Sequence, residues 1–333
     1  MTERIALVLG AAGGIGGEAA TALSRHGWKV RALRRGSRRA NENAALEWTE
    51  GDAMRADDVI KAAQGASLIV HAVNPPGYRD WDKLVLPMLD NTIAAALATG
   101  ARILLPGTVY NYGPDAGAVI GEDAPQHPLT FKGGIRVEME DRLCQAAESG
   151  VRTIVLRAGD FFGPRPGNNW FSQGLVKPGR SVRSILYPGA PGVGHSWAYL
   201  PDVAETMARL ADREATLGVF ENFHFRGHWD HDGEQMIAAI RRAAGDLKLP
   251  VRRFPWLLAT LASPFLTFFR EVREMRYLWR EPLQLDNGYL RAALGEEPHT
   301  PLDEAVRATL VGLGCLPPQS ARSPHAKIAS ALA

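Results

Sequence analysis

The 333-residue sequence predicts a doubly wound α/β fold, and three observations carry that expectation. Short apolar runs alternate with helical stretches through the first half of the chain. Those runs are continuously apolar, as expected for parallel strands buried on both faces. A glycine-rich turn joins the first run to the first helix, and right-handed crossovers then give a sheet with helices on both sides.

Taken in order, "RIALVLG" reads as a strand and "GGEAATALSRHG" as a helix closed by Gly27. "KVRALR" is the second strand, and "EGDA" ends the third. "ADDVIKAAQG" is helical, "SLIVHAV" a strand, "WDKLVLPMLDNTIAAALATG" a long helix and "RILLPG" the next strand. The helix "GIRVEMEDRLCQAAESG" and the strand "RTIVLRAG" follow. Residues 163 to 195 are rich in Gly, Pro and Asn and read as loops over the carboxyl edge of the sheet. From about residue 226 the chain is helical and rich in Trp and Arg, and "PPQSARSPHAKIASALA" is expected to be a loosely held tail.

Composition narrows the classes of function. A hydrophobic content of 46% with 22% charged residues is that of a globular protein, and a net charge of +2 offers no broad basic face for nucleic acid. The two cysteines, Cys144 and Cys315, lie far apart. They form neither a disulfide framework nor a metal-ligand spacing, so a reducing, cytoplasmic setting and no metal site are expected. The opening "MTERIALVLG" lacks a basic region, a long apolar core and a cleavage site, so a secretory leader is not expected. The most apolar segment, "FPWLLATLASPFLTFF" (254–269), falls short of the ~20 residues of a spanning helix and contains Pro264. No membrane span is expected there; a buried helical hairpin or a pocket wall is.

"VLGAAGGIGGEAA" carries the cofactor expectation. Gly10 permits the tight turn, Gly13 lets backbone approach a pyrophosphate, and Gly16 lets helix pack on strand. Gly14 and Ile15 belong to the same loop, whose helix N-terminus presents N–H groups to phosphate. Residues 1–165 thus read as a dinucleotide-binding Rossmann domain. Residues 166–333 read as a smaller, mostly helical substrate-binding region, with 196–225 returning to the Rossmann core. At the end of the second strand, where an acidic residue would bind the ribose hydroxyls of NAD, stand Arg34 and Arg35. A guanidinium pairs with a 2′-phosphate, which favours NADP over NAD. The alternative is that "RRGSRR" is a solvated basic turn. Asp52, followed by Ala53, is placed to meet the adenine, and Ala72 and Val73 to line the cofactor. His71 reads as a satisfied, partly buried histidine.

The motifs "GAAGGIG", "GD" at 51–52, "PGTVYNYGP", "RAGDFFGP" and "AYLPDVA" together resemble the short-chain dehydrogenase/reductase superfamily. The resemblance is to its extended or atypical branch, which includes the NAD-dependent epimerase/dehydratases. It implies a hydroxyl residue after the fifth strand, and a Tyr and a Lys four places apart. Thr108 matches the hydroxyl. In "HPLTFKGGIRVEME" the Tyr position falls on Lys132 and the Lys position on Arg136. The proton donor is therefore expected at Tyr110, where dehydratases of the family carry a carboxylate, or at Lys132. Lys132 and Arg136 are alternatively cations that serve the cofactor's ribose and phosphates. The resemblance also implies a homodimer.

For the substrate, Asn168, Asn169, Trp170 and Phe171 read as part of a lid, and Trp197, Tyr199, Trp256 and Phe265 as aromatic walls or core. His195 stands where family epimerases often carry an arginine that binds the sugar nucleotide's pyrophosphate; Arg180 and Arg183 are the alternative cations. The expectation is an NADP-dependent oxidoreductase acting on a small carbonyl or alcohol substrate. Two rivals remain: a nucleotide-sugar epimerase or dehydratase, and a non-catalytic NADP-binding sensor.

Overall fold

Parallel strands dominate the centre of the molecule. The computed structural model describes residues 3–36, 43–75, 80–165, 167 and 169–318, with backbone alone at 267, 268 and 271. The strands are β1 (Ile5–Leu9), β2 (Lys29–Arg34), β3 (Glu47–Glu50), β4 (Leu68–His71), β5 (Arg102–Thr108), β6 (Val119–Ile120), β7 (Thr153–Ala158), β8 (Asp160–Phe162), β9 (Ile185–Tyr187), β10 (His195–Tyr199) and β11 (Phe220–Phe225). Seven of them form one sheet in the order β3-β2-β1-β4-β5-β7-β11. Every pairing in it is parallel. The order reverses between β1 and β4, which is where a doubly wound sheet opens a crevice at its carboxyl edge.

The continuous apolar runs have a direct explanation. In β1, Ala6 and Val8 enter one core while Leu7 and Leu9 enter the other. The first core holds α1 (Gly14–Arg25), and the second holds α2 (Ala56–Ala62), α3 (Trp81–Thr99) and α4 (Phe131–Glu148). The next helix, α5 (Leu200–Asp212), packs with α1 and sends Val203, Ala204, Met207 and Ala208 inward at helical spacing.

The second half builds small sheets. β10 lies between β8 and the antiparallel β12 (His228–Asp230). β9 pairs with β13 (Val251–Arg253), and β6 with β14 (Gln284–Leu285). Helices α6 (Gln235–Ala244), α7 (Trp256–Ala262), α8 (Thr267–Glu274), α9 (Gly288–Leu294) and α10 (Leu302–Gly312) complete the chain. An aromatic core of Phe162, Phe171, Trp197, Tyr199 and Trp279 binds these pieces together.

The apolar segment 254–269 departs from expectation. It forms a helical hairpin, but the hairpin is not buried. Ala259 and Ser263 turn inward, while Leu257 is 73% exposed and Phe265 84%. Alanine and serine are the small residues that let the hairpin seat closely, so the leucines are left outside. Among the described residues no helix is long and apolar enough to cross a membrane. The tail beyond residue 318 lies outside the described residues, as do Arg38 and Arg39 of the basic turn and Asn168 of the expected lid.

Candidate active site

The glycine loop sits where the sheet reverses. Gly10 has a φ of +89°, and a Cβ there would stand 2.4 Å from the Ala72 carbonyl oxygen at the end of β4. A Cβ on Gly16 would stand 2.3 Å from the Gly10 carbonyl oxygen. Both positions therefore exclude a side chain, and the loop folds tightly, with the Gly13 N–H donating to the Gly10 carbonyl at 2.9 Å. Gly13 is the residue before α1. The amides of Gly14, Ile15 and Gly16 are those a helix's first turn leaves without intrahelical acceptors.

Beside the loop lies a cavity of about 430 Å³. Gly10, Arg34, Arg35, Asp52, Ala53 and Val73 line it, together with Asn74, which the sequence reading did not single out. Arg34 ends β2 and donates to the Gly36 carbonyl at 2.6 Å. Asp52 accepts from the Met54 N–H at 3.0 Å, which fixes its carboxylate at the cavity wall. The cradle without Cβ atoms, the first-turn amides and the flanking guanidinium groups fit a dinucleotide. His71 is fully buried and donates through Nδ1 to Thr92, because the Thr92 hydroxyl is itself spent on the Met88 carbonyl. Burial, and secondarily Arg136, lowers its pKa to about 3.

Thr108 closes β5 and begins a single helical turn over Val109–Asn111. Its hydroxyl oxygen accepts from the Tyr110 N–H at 3.3 Å, which leaves the hydroxyl proton to donate outward. Its carbonyl accepts from buried Arg157 at 2.7 Å, and Arg157 in turn pairs with Glu140 of α4 at 2.6 Å. Asn111 donates to the same carboxylate. This polar network pins the end of β5 against α4. Tyr110 packs on an apolar cluster that includes Ile120, Met275 and Leu278.

Helix α4 starts at Phe131 because the Thr130 hydroxyl accepts from the Gly133 N–H at 2.9 Å. Lys132, 1% exposed, points its ammonium at Glu274 of α8, 3.1 Å away. Glu274 also accepts from the Lys132 backbone N–H at 3.0 Å. One turn on, Arg136 donates to Asn74 at 3.2 Å and lies over the Trp81 ring. The two cations are thus separated: Arg136 faces the β4 loop beside the cavity, and Lys132 holds the C-terminal region. Glu274, 142 residues from Lys132, carried no signal in the sequence.

His195 is held from three sides. Its Nε2 meets Asp160 at 2.9 Å, its Nδ1 the Leu278 carbonyl at 3.2 Å, and its ring stacks on Trp279 at 3.8 Å. Asp160 belongs to "RAGDFFGP", so its motif was visible and its partner was not. Arg180 and Arg183 are exposed in the loop before β9. Trp197 and Tyr199 are core residues, and Phe171 is fully buried. Trp170 packs on Trp256, while Asn169 accepts from the Ser172 N–H. Among the described residues no group of His, Cys, Asp or Glu is arranged to hold a metal ion.

Residues 6–223 match the model of the NAD dependent epimerase/dehydratase family. The chain belongs to that family. No curated protein matches it. Among solved structures it is similar to UDP-glucose 4-epimerase with UDP-glucose from Thermotoga maritima, at 18% identity and a TM-score of 0.73 over 92% of this chain and 97% of that one. It is similar to UDP-glucose 4-epimerase in complex with NAD from Brucella ovis, at 16% identity and a TM-score of 0.73 over 93% and 98%. WbmH of Bordetella bronchiseptica, in complex with NAD+, is similar at 18% identity and a TM-score of 0.69 over 93% and 98%. At these identities the likeness is one of fold, and it covers this epimerase/dehydratase-family chain almost end to end. These comparisons favour the epimerase/dehydratase alternative over the small-carbonyl oxidoreductase.

Proposed function

We propose that the chain is a nicotinamide-dinucleotide enzyme of epimerase/dehydratase type, acting at a hydroxyl-bearing carbon of a nucleotide-linked sugar. The observation that carries this reading is the steric cradle of Gly10 and Gly16 at the sheet's reversal point, inside the region that matches the family. The dinucleotide, when bound, accepts and returns a hydride. Gly13 to Gly16 would hold its pyrophosphate and Arg136, beside Asn74, its nicotinamide-side ribose. Arg34 and Arg35 support a 2′-phosphate, hence NADP, although the Brucella and Bordetella structures hold NAD.

The Thr108 hydroxyl would hydrogen-bond the substrate oxygen, whose proton must be taken up as hydride leaves the carbon and given back as hydride returns. The candidates for that proton transfer are Tyr110, two residues on, and Lys132, whose ammonium is held by Glu274. General acid catalysis contributes ~10²–10⁴-fold, so a displaced phenol slows the reaction without forbidding it.

One observation favours a second reading, the reduction of a small carbonyl compound. Where family epimerases often carry an arginine for the pyrophosphate, this chain has His195 bound to the carboxylate of Asp160. With its two ring nitrogens on Asp160 and the Leu278 carbonyl, His195 has no N–H left for a diphosphate. The test offers the protein UDP- and dTDP-linked sugars with NADP or NAD, and separately ketones, enones and aromatic aldehydes with NADPH. Conversion of a nucleotide sugar without net cofactor consumption, lost in Thr108→Val while cofactor binding persists, is the expected result. NADPH oxidation by the carbonyl panel alone would establish the second reading. Cofactor binding with no turnover of either panel would leave a non-catalytic sensor.

A further inference from the structure

The α7–α8 hairpin ends in a ridge of apolar side chains turned to solvent. Leu257 is 73% exposed, Leu258 64%, Leu261 63%, Phe265 84% and Leu266 52%. Leu257 and Leu261 stand one turn apart on α7, on the face away from the buried Ala259, and Phe265 and Leu266 follow in the turn after it. Exposure is highest at Phe265, in the turn between the two helices. Single exposed leucines need no explanation, but five large apolar side chains exposed within ten residues of one hairpin do.

Arginine dominates the charge around the ridge. Between residues 250 and 280 the chain has six arginines, two glutamates and no other charged residue. Arg252 and Arg253 are exposed on β13, just before the hairpin, and Arg270, Arg273 and Arg280 are exposed after its tip. The Arg276 guanidinium lies 5.4 Å over the ring of Trp256, at the base of α7. One of the two glutamates, Glu274, is turned inward to Lys132. An apolar edge of Leu and Phe flanked by arginines is the composition of an element that lies in a lipid interface and is attracted to anionic headgroups.

We infer that the α7–α8 hairpin docks this protein on an anionic lipid bilayer. Leucine and phenylalanine enter the acyl boundary, and the arginines meet the headgroup phosphates. A projecting tip suits a bilayer, which yields around it; a protein partner would have to offer a matching groove. The hairpin is also joined to the site: Glu274 holds Lys132, and Trp256 packs on Trp170 at 6.1 Å between ring centroids. Docking would therefore hold the substrate side of the protein at the membrane surface without a spanning segment.

The test is co-sedimentation of the full chain with phosphatidylcholine vesicles, with and without phosphatidylglycerol. Binding is expected only with phosphatidylglycerol and weakens as salt rises. The variant L257Q/L258Q/L261Q should bind ~10-fold or more weakly, because lipid partition follows buried apolar area. R252E/R253E should weaken it by a similar ~10-fold through the headgroup attraction. Circular dichroism and the Tm check that both variants fold. Two results would overturn the inference: no binding of the unaltered chain to phosphatidylglycerol vesicles at low salt, or equal binding by the folded triple variant. Light scattering adds a third, a dimer that the leucine substitutions dissociate, which would mean that a second copy covers the ridge.

Discussion

The two sides of the central crevice, proposed for the cofactor and for the substrate, are held in shape by different physics. On the cofactor side, backbone meets backbone: Gly10 against Ala72, and Gly16 against Gly10, with no room for a methyl group. On the substrate side, charged side chains close the structure: Lys132 on Glu274, Asp160 on His195 and Arg157 on Glu140. Backbone contacts tolerate no substitution. Ion pairs tolerate replacement, at a cost that depends on which partner is left buried. Substitution is therefore expected to be tolerated at pairs such as Lys132 and Glu274 and not at the glycine loop.

The largest effect is expected at the cradle. Gly16→Val drives Cβ into the Gly10 carbonyl, so dinucleotide binding should fall by ~100-fold or more, at ~1.4 kcal/mol per tenfold. Fluorescence titration of NADPH would show it, and a variant that binds normally would break the contrast between the two sides. The substrate side should respond asymmetrically. Glu274→Gln removes a carboxylate 3.1 Å from a buried ammonium and should cost up to about 3 kcal/mol in chemical denaturation. Lys132→Met leaves a carboxylate with a side chain 20% exposed, which water can reach, and should cost less. Equal losses would mean that the pair is not the anchor described.

Arg34→Glu sharpens the cofactor side. Losing a charge-assisted contact to a 2′-phosphate, worth ~1.5–3 kcal/mol, should weaken NADPH about 10- to 100-fold and spare NADH. The remaining effect is one of pH, and it is read on the stability of the fold rather than on binding. Burial lowers the pKa of His71 to about 3, His224 to about 3 and His228 to about 4. The unfolded chain binds these protons below about 6.5 while the folded chain refuses them, so stability present above that pH is lost as pH falls toward 4. The slope is at most about 1.4 kcal/mol per pH unit for each histidine, and unfolding free energies measured across that window check it.

The same physics decides what the sequence makes legible. Continuous apolar runs, a glycine loop and Arg34 at a strand end are local features, and with them go the parallel sheet and the cavity beside the loop. Glu274 could not be found, because it meets Lys132 across 142 residues with no motif of its own. Asp160 stood in a motif, but nothing local marked it as the partner of His195. The segment 254–269 misled for another reason. Hydropathy reports that leucines are present and not which face they take, and it is Ala259 and Ser263 that seat the hairpin.

The cradle of Gly10 and Gly16 should hold a nicotinamide dinucleotide even though α4 carries no tyrosine. Titration of the purified chain with NADPH, NADP, NADH and NAD tests it most directly. Saturable binding of a nicotinamide dinucleotide, tightest for a 2′-phosphorylated form and abolished by Gly16→Val, is the predicted result. A folded protein that binds none of the four would contradict the account.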